Sequence, residues 1–476
     1  MAQCKLTPQE FIKNAFTPQM AVLCSSSVDQ ICQKNNLSFV ELVQPFCKLS
    51  ADVNLQDASG GAIIIHNLKV KLMDVNFRPP QPTLARKLLN AAVAQASEPR
   101  TQLTQIGENN LQIPTSTPWF EAWRDMFLQV QFPSDHEFTK HYLACILVVS
   151  SADANPVEAM NHLDQNLNQL QNVAPNKLPK WFSSHILRYY VLLHDNIDGD
   201  NNKTTQAIDA LNLCYGIGKV FLLKINSRPQ GQVEEQLPDP WSQYVSTTFE
   251  STESSRASPD DSPSASRSLI RSLEGGPESA ESGVNLPYHP LSPETEAQKL
   301  SEALLEKEIQ AESLSSNALH GMYLTTSDVE QIKLLIHEFC TRALLPYVER
   351  QIQNLTEIVS NKKGVSKSLF SATKRWFTPS KAGSSNGSSN MPIYASDAPE
   401  LQMRKLGDLY FMFGHYNMAF QVYHAAKRDF NSDQAWFYYA GALEMAALAA
   451  FMANECNRKT CDYIEEGIVT YLNVCK

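Results

Sequence analysis

The sequence predicts an α/β amino-terminal domain, a parallel or mixed sheet with helices on its faces. An all-α region that opens an α-solenoid follows, with a disordered Ser/Pro-rich insertion between the two. Three observations carry that expectation. Apolar runs of strand length alternate with amphipathic helical patterns between about residues 140 and 226. The composition then turns abruptly to Ser, Pro, Glu and Asp. Helical periodicity returns afterwards and, near the end, repeats itself.

In the α/β domain (1–228), Thr7, Pro8, Gln9 and Glu10 read as a capping box with proline at the first helical position. A short strand is expected at 20–24, then helices at 28–34 and 38–47. The run at 62–65 continues into HNLKVKLMDVNF as a β segment, because Leu68, Val70 and Leu72 alternate. Residues 83–97 are helical by composition and spacing. Residues 142–149 are a continuous apolar strand, and Asn155, Pro156 and Glu158 open a helix running to about 170. A strand at 185–194, an Asp/Asn/Gly loop, a helix at 204–215 and a strand at 219–225 complete the pattern. Apolar strand centres separated by helices are the mark of a parallel sheet covered on both faces.

Residues 229–296 cannot bury enough apolar surface to offset ordering, so a disordered acidic insertion is expected. Ser258, Ser262 and Ser292 each precede proline, the context of regulatory phosphorylation; a plain spacer is the preferred reading. A helical pattern resumes at 294–314, overlapping the helical segment assigned to 297–360. Ser327 and Glu330 frame a second capping box, and Pro346 is expected to kink the helix that follows.

The segment 361–381 is the most informative stretch. At about 100° per residue, Val365, Leu369, Phe370, Trp376 and Phe377 share one side of a helix. Lys367, Lys374 and Arg375 fall on the other, with Lys362 and Lys363 just ahead. An aromatic face opposite a basic face suits a helix lying in the surface of an anionic membrane. The alternative is that the aromatic face packs on another part of the protein. A flexible linker (382–392) separates this segment from the last region.

In the last region (393–476), Leu406, Gly407, Tyr410, Gly414, Tyr416, Ala419, Tyr423 and Ala426 have tetratricopeptide spacing. Small residues at 407, 419 and 426 let two helices approach, and the tyrosines fill the space between. Gly407 recurs as Gly441 and Ala419 as Ala453, about one 34-residue period later. Met403 and Asn431 replace the usual tryptophan and proline. This is a TPR-like array, expected to continue into a larger solenoid because such repeats need neighbours.

Composition excludes several functions. A net charge of −10 argues against general nucleic-acid affinity. The ten cysteines form no Cys-x-x-Cys pair, which leaves a zinc site or redox dithiol without support. No signal peptide and no membrane-spanning run are evident, so a cytoplasmic protein with reduced thiols is expected. The α/β pattern invites a GTPase reading, but Gly216, Gly218 and Lys219 precede a strand and Val220 stands in place of the magnesium-binding hydroxyl. Asp195, Asp198, Gly199 and Asp200 hint at a calcium loop, yet His194 and Thr205 fall where carboxylates are essential; a solvated turn is the expectation. His136, Glu137 and His141 have the wrong spacing for a zinc protease. No catalytic residues, no cofactor and no metal are assigned, and the chain is not expected to be an enzyme.

With these segments in order, the chain resembles the amino-terminal part of the subunit 8 family of the trafficking protein particle (TRAPP) complexes, characteristic of the TRAPP III form. The residues that carry the resemblance are PDPWSQYVS (238–246), NLPYHPLSPE (285–294), the 327–360 helix, SKSLFSATKRWF (366–377) and LGDLYFMFGHYNMAFQVYHAAKRDF (406–430). The resemblance implies a non-catalytic scaffold and membrane-attachment subunit of a tethering and Rab guanine-nucleotide-exchange complex. That complex serves ER-to-Golgi transport and autophagy. The implied partners are other TRAPP subunits, a Rab-family GTPase reached indirectly through the complex, and an anionic membrane surface, with no nucleic acid. The implied location is peripheral, on Golgi and early secretory or autophagic membranes. The family's membrane-inserting helix maps onto 365–377. A soluble TPR-type adaptor without a membrane role is the alternative.

Overall fold

The computed structural model describes residues 6–75 apart from 59, 82–98, 101–106, 109–129, 139, 141–172, 186–229, 239–245, 320–364, 394–395 and 397–474. They fall into two units. The larger comprises Leu6–Asn76, Phe132–Trp241 and Leu319–Lys476; the smaller contains Phe77–Gln131.

The larger unit begins with α1 (Pro8–Ala15), closed at its start by the reciprocal Thr7–Glu10 capping box. Strand β1 (Gln19–Cys24) follows, then α2 (Ser26–Gln33) and α3 (Phe39–Val43), the latter extended by a 3₁₀ turn at Gln44–Phe46. Strands β2 (Val53–Gln56) and β3 (Ala62–Ile65) pair antiparallel, and β4 (Lys71–Asp74) joins β1 in parallel. The β segment expected to run on from residue 62 is therefore two strands in different sheets. Asn67, at φ 54, turns the chain between them, a left-handed conformation that asparagine tolerates and a strand does not.

The smaller unit holds α4 (Pro82–Gln95), the hairpin β5 (Thr101–Ile106) and β6 (Asn109–Pro114), and α5 (Pro118–Gln129), which packs on α4. Phe120, Trp123 and Phe127, spaced three and four apart on α5, form a ladder with ring centroids 6.3 and 5.1 Å apart.

Back in the larger unit, β7 (Tyr142–Ser150), α6 (Pro156–Asn172), β8 (Leu187–Asp195), α7 (Asn201–Tyr215) and β9 (Val220–Ile225) complete the sheet. Its order is β4-β1-β7-β8-β9, and every pairing is parallel. This is the doubly wound arrangement in which the winding direction reverses at β1. On one face Ala21, Leu23, Cys145, Leu147, Val149 and Leu192 pack with Met160, Leu163 and Leu167 of α6 and with Leu211 of α7. The alternate residues Met20, Val22, Ile146 and Val148 are buried too, because helices cover the second face as well.

Part of that second cover comes from beyond the insertion. Helix α8 (Thr326–Glu338) lies beside β9, and Phe339 sets its ring 5.1 Å from Tyr189 of β8. Ser227, just after β9, donates its amide and hydroxyl to the two Asp328 oxygens at 3.0 and 2.6 Å. The buried Trp241 indole donates to the Leu42 carbonyl at 3.0 Å. The capping box at the start of α8 is Thr325–Asp328, not Ser327–Glu330. Asp328 caps the helix and holds Ser227 with one carboxylate, which two residues further along the helix would not reach. Pro346, which has no amide to donate, sits just after a π-turn at Phe339–Leu344 that leads into α9 (Leu345–Gly364).

Among the described residues four further helices follow: α10 (Pro399–Met412), α11 (Tyr416–Ser432), α12 (Trp436–Met452) and α13 (Arg458–Val474). Each packs on its neighbour from α9 onward. Helix α12 is apolar nearly all round, Glu444 apart, and α11 and α13 cover it on both sides. Among the described residues no helix is long and apolar enough to cross a membrane.

Candidate functional site

Two places in the described structure concentrate polar chemistry: the core of the helical repeats and the carboxyl end of the sheet. The segment 365–381, with Val365, Leu369, Phe370, Trp376, Phe377, Lys367, Lys374 and Arg375, lies outside the described residues, as do Ser258, Ser262 and Ser292. Lys362 and Lys363 fall in the last turn of α9.

In the repeats, Gly407 faces Tyr423 across the α10–α11 interface. A Cβ on Gly407 would stand 2.6 Å from the tyrosine ring, so a larger residue would force the helices apart. Ala419 and Ala426 are fully buried on α11, and Leu406 and Tyr410 on α10. Gly414 makes the turn with φ +81, and the half-buried Tyr416 sets its ring 5.3 Å from Phe411. Beside Gly407 is a buried ionic cluster that the spacing did not announce. Arg404 Nε donates to Asp408 Oδ1 at 2.8 Å, and the Tyr423 hydroxyl donates to the same oxygen at 2.6 Å. Burial works against the Arg404 charge, but Asp408 outweighs it and holds the guanidinium firmly protonated. Burial also raises Tyr423, so its hydroxyl keeps its proton and remains a donor.

The second repeat does not keep the period. Ala453 ends α12 as its C-cap instead of occupying the place of Ala419, because α12 itself runs to Met452 and α13 begins only at Arg458. The small residue of α13 at the interface is Gly467, where an added Cβ would lie 3.5 Å from the Ala440 carbonyl oxygen.

Lys405, on the same helix as the cluster, is buried, and that burial lowers its pKa from 10.5 to about 8. Between those values the unfolded chain holds a proton that the folded chain has released, so stability rises with pH through that window. Below about 8 both states are charged and the full cost, up to about 3 kcal/mol, is present. Lys405→Met is therefore expected to stabilise the repeats by about 1–3 kcal/mol at neutral pH. The difference from the parent should shrink as pH is raised from 8 to 10.5. Denaturant titrations at several pH values measure both.

At the carboxyl end of the sheet, where doubly wound folds place ligands, Ser27, Gln30, Lys34, Ser151, Asp198 and Lys203 line a crevice of ≈330 Å³. Lys34, Asp195 and Asp198 are tied to one another. Lys34 Nζ donates to Asp195 at 2.8 Å and also to Asp198. Asp195 further accepts from Asn226 Nδ2 at 2.8 Å and from the amides of Ile197 and Asp198 at 3.0 Å. Burial alone would raise its pKa; these donors outweigh that and hold it below the ordinary carboxylate range. His194 is sealed, with Nδ1 between the hydroxyls of Ser151 (2.9 Å) and Thr204 (2.8 Å). Burial foremost, then Lys224, lowers its pKa and keeps the ring neutral. Gly199 is required because a Cβ there would run into His194 and the Asp195 carbonyl.

The loop expected to be a solvated turn is exposed at Asn196, Ile197, Asp198 and Asp200, and is anchored at its start by the buried Asp195. Gly216 and Gly218, both at positive φ, end α7 and precede the amino end of β9, the opposite edge from the crevice. The crevice is a network that fixes loops to one another.

A doubly wound parallel sheet continued by an array of packed helices defines the class, an α/β domain carrying an α-helical repeat region. The family model for the ER-Golgi trafficking TRAPP I complex 85 kDa subunit matches residues 12–476, and the chain belongs to that family. It is 39% identical to the trafficking protein particle complex subunit 8 of Homo sapiens, over 100% of this chain and 35% of that protein. It is 29% identical to the Caenorhabditis elegans protein of the same name, over 73% of this chain and 27% of that one. To the transport protein particle subunit trs85-1 of Schizosaccharomyces pombe it is 25% identical, over 67% of this chain and 46% of the relative. The chain therefore spans about a third of the length of the human relative.

Proposed function

We propose that this chain is a non-catalytic scaffold and membrane-attachment part of a TRAPP III-type tethering complex, active in ER-to-Golgi transport and autophagy. The observation that carries the scaffold role is the family match along nearly the whole chain. The repeat helices support it, because they pack on the α/β domain within one unit: Gln56 of β2 donates its amide to Glu349 of α9 at 2.7 Å, and Phe16 sets its ring 5.2 Å from Phe411. A scaffold built this way offers partners a continuous surface. Nucleotide exchange on a Rab-family GTPase belongs, in this reading, to other subunits of the assembly.

The membrane role rests on the sequence of 362–377, with its basic and aromatic sides. In this reading the protein is peripheral on Golgi and early secretory or autophagic membranes. Affinity purification of the tagged chain from cells tests the scaffold role. Other TRAPP subunits are expected among the recovered proteins, and their consistent absence would overturn the assignment.

A further inference from the structure

Helix α13 opens with a reciprocal cap: the Asn457 amide donates to Thr460 Oγ1 at 2.9 Å, and the Thr460 amide donates to Asn457 Oδ1 at 3.2 Å. Asn457 is thus the N-cap, Cys456 precedes it, and Cys461 is the fourth residue of the helix. Those flanking positions meet across a capped helix start, where apolar side chains commonly form a staple. Here both are thiols. Their sulfurs lie 3.7 Å apart and both residues are exposed. A disulfide needs about 2.05 Å, so the two sulfurs stand one short approach from bonding.

We propose that Cys456 and Cys461 are a modification site, forming a reversible intrachain disulfide with a low-molecular-weight disulfide such as oxidised glutathione as co-reactant. One protein thiolate attacks a glutathione sulfur, breaking that S–S bond and releasing one glutathione thiolate. The second protein thiolate attacks the protein sulfur of the mixed disulfide and expels the other glutathione. Two electrons pass from the protein sulfurs to glutathione, and the two protons end on its thiols. The bond ties the turn after α12 to the first turn of α13. Cys456, through its hydrogen bond and charge, and then Asp462 and Glu465 raise the Cys461 thiol, so exchange quickens as pH is raised.

The test uses the full chain, equilibrated with mixtures of reduced and oxidised glutathione at mildly alkaline pH, alkylated and digested with trypsin. Arg458 and Lys459 separate the two cysteines, so an oxidised pair survives as two peptides joined through sulfur. Fragmentation distinguishes Cys461 from Cys475 in the second peptide. Cys214, exposed and paired with no thiol among the described residues, is the internal control for glutathione attachment. The expected result is a Cys456–Cys461 link exceeding the Cys214 adduct at least about tenfold, because the second thiol acts at millimolar effective concentration. Cys461→Ser is expected to abolish the link and leave Cys456 carrying glutathione. The proposal is overturned if, in the parent chain, Cys456 and Cys461 carry glutathione or the alkylating group separately while Cys214 is modified.

Discussion

Asp408→Ala is expected to destabilise the helical repeats by about 3–5 kcal/mol, the loss typical when one partner of a buried ion pair is removed. Arg404 is 3% exposed and Asp408 fully buried, so the alanine would strand a guanidinium where water does not reach. The Tyr423 hydroxyl would lose its acceptor as well. The same ring fills the space over Gly407, so loosening Tyr423 also loosens the α10–α11 contact. The double change Arg404→Met with Asp408→Leu removes both charges and should cost far less, because replacing a buried pair by apolar side chains is often neutral. Denaturant unfolding followed by far-UV circular dichroism compares the two. A double variant as unstable as Asp408→Ala would show that the pair is not coupled as described.

How much of this was legible in the sequence depended on how each element is buried. Strands β7 and β8 stood out because a parallel sheet covered on both faces requires unbroken apolar runs, as in Leu143–Val149. The β5–β6 hairpin gave no such signal: its sequence is half polar, and Leu103 and Leu111 are 68% and 48% exposed. The start of α8 was misplaced by two residues because TTSDVE contains two overlapping capping boxes, and Ser227, about a hundred positions away, decides between them. The Arg404–Asp408 pair, four apart on a helix, reads in sequence as a solvated face; only the covering Tyr423 makes it a buried cluster. His194 gave no hint of its Ser151 and Thr204 partners, since the fold alone brings β7 and α7 to it. The 34-residue recurrence of Ala419 at Ala453 does not hold because α11 and α12, of 17 residues each, already fill the period before their turns are added.

Membrane attachment is the part of the proposed function with the largest expected response to substitution. Basic groups near an anionic leaflet contribute roughly 1 kcal/mol each, and Lys362, Lys363, Lys367, Lys374 and Arg375 supply several. That attraction is screened by salt, so the proposed attachment relies on apolar insertion of Trp376 and Phe377 to hold the segment. A single such segment binds weakly and reversibly, which suits a subunit that reaches the membrane as one contact among several in a larger assembly.

The most direct measurement is flotation of the chain with vesicles containing an anionic lipid, at low and high salt, against Trp376→Asp combined with Phe377→Asp. The parent chain is predicted to float with anionic vesicles, less so at high salt and hardly with neutral ones, and the double variant to lose binding by at least about tenfold. Equal flotation of parent and variant would contradict the claim that this segment attaches the protein to membranes.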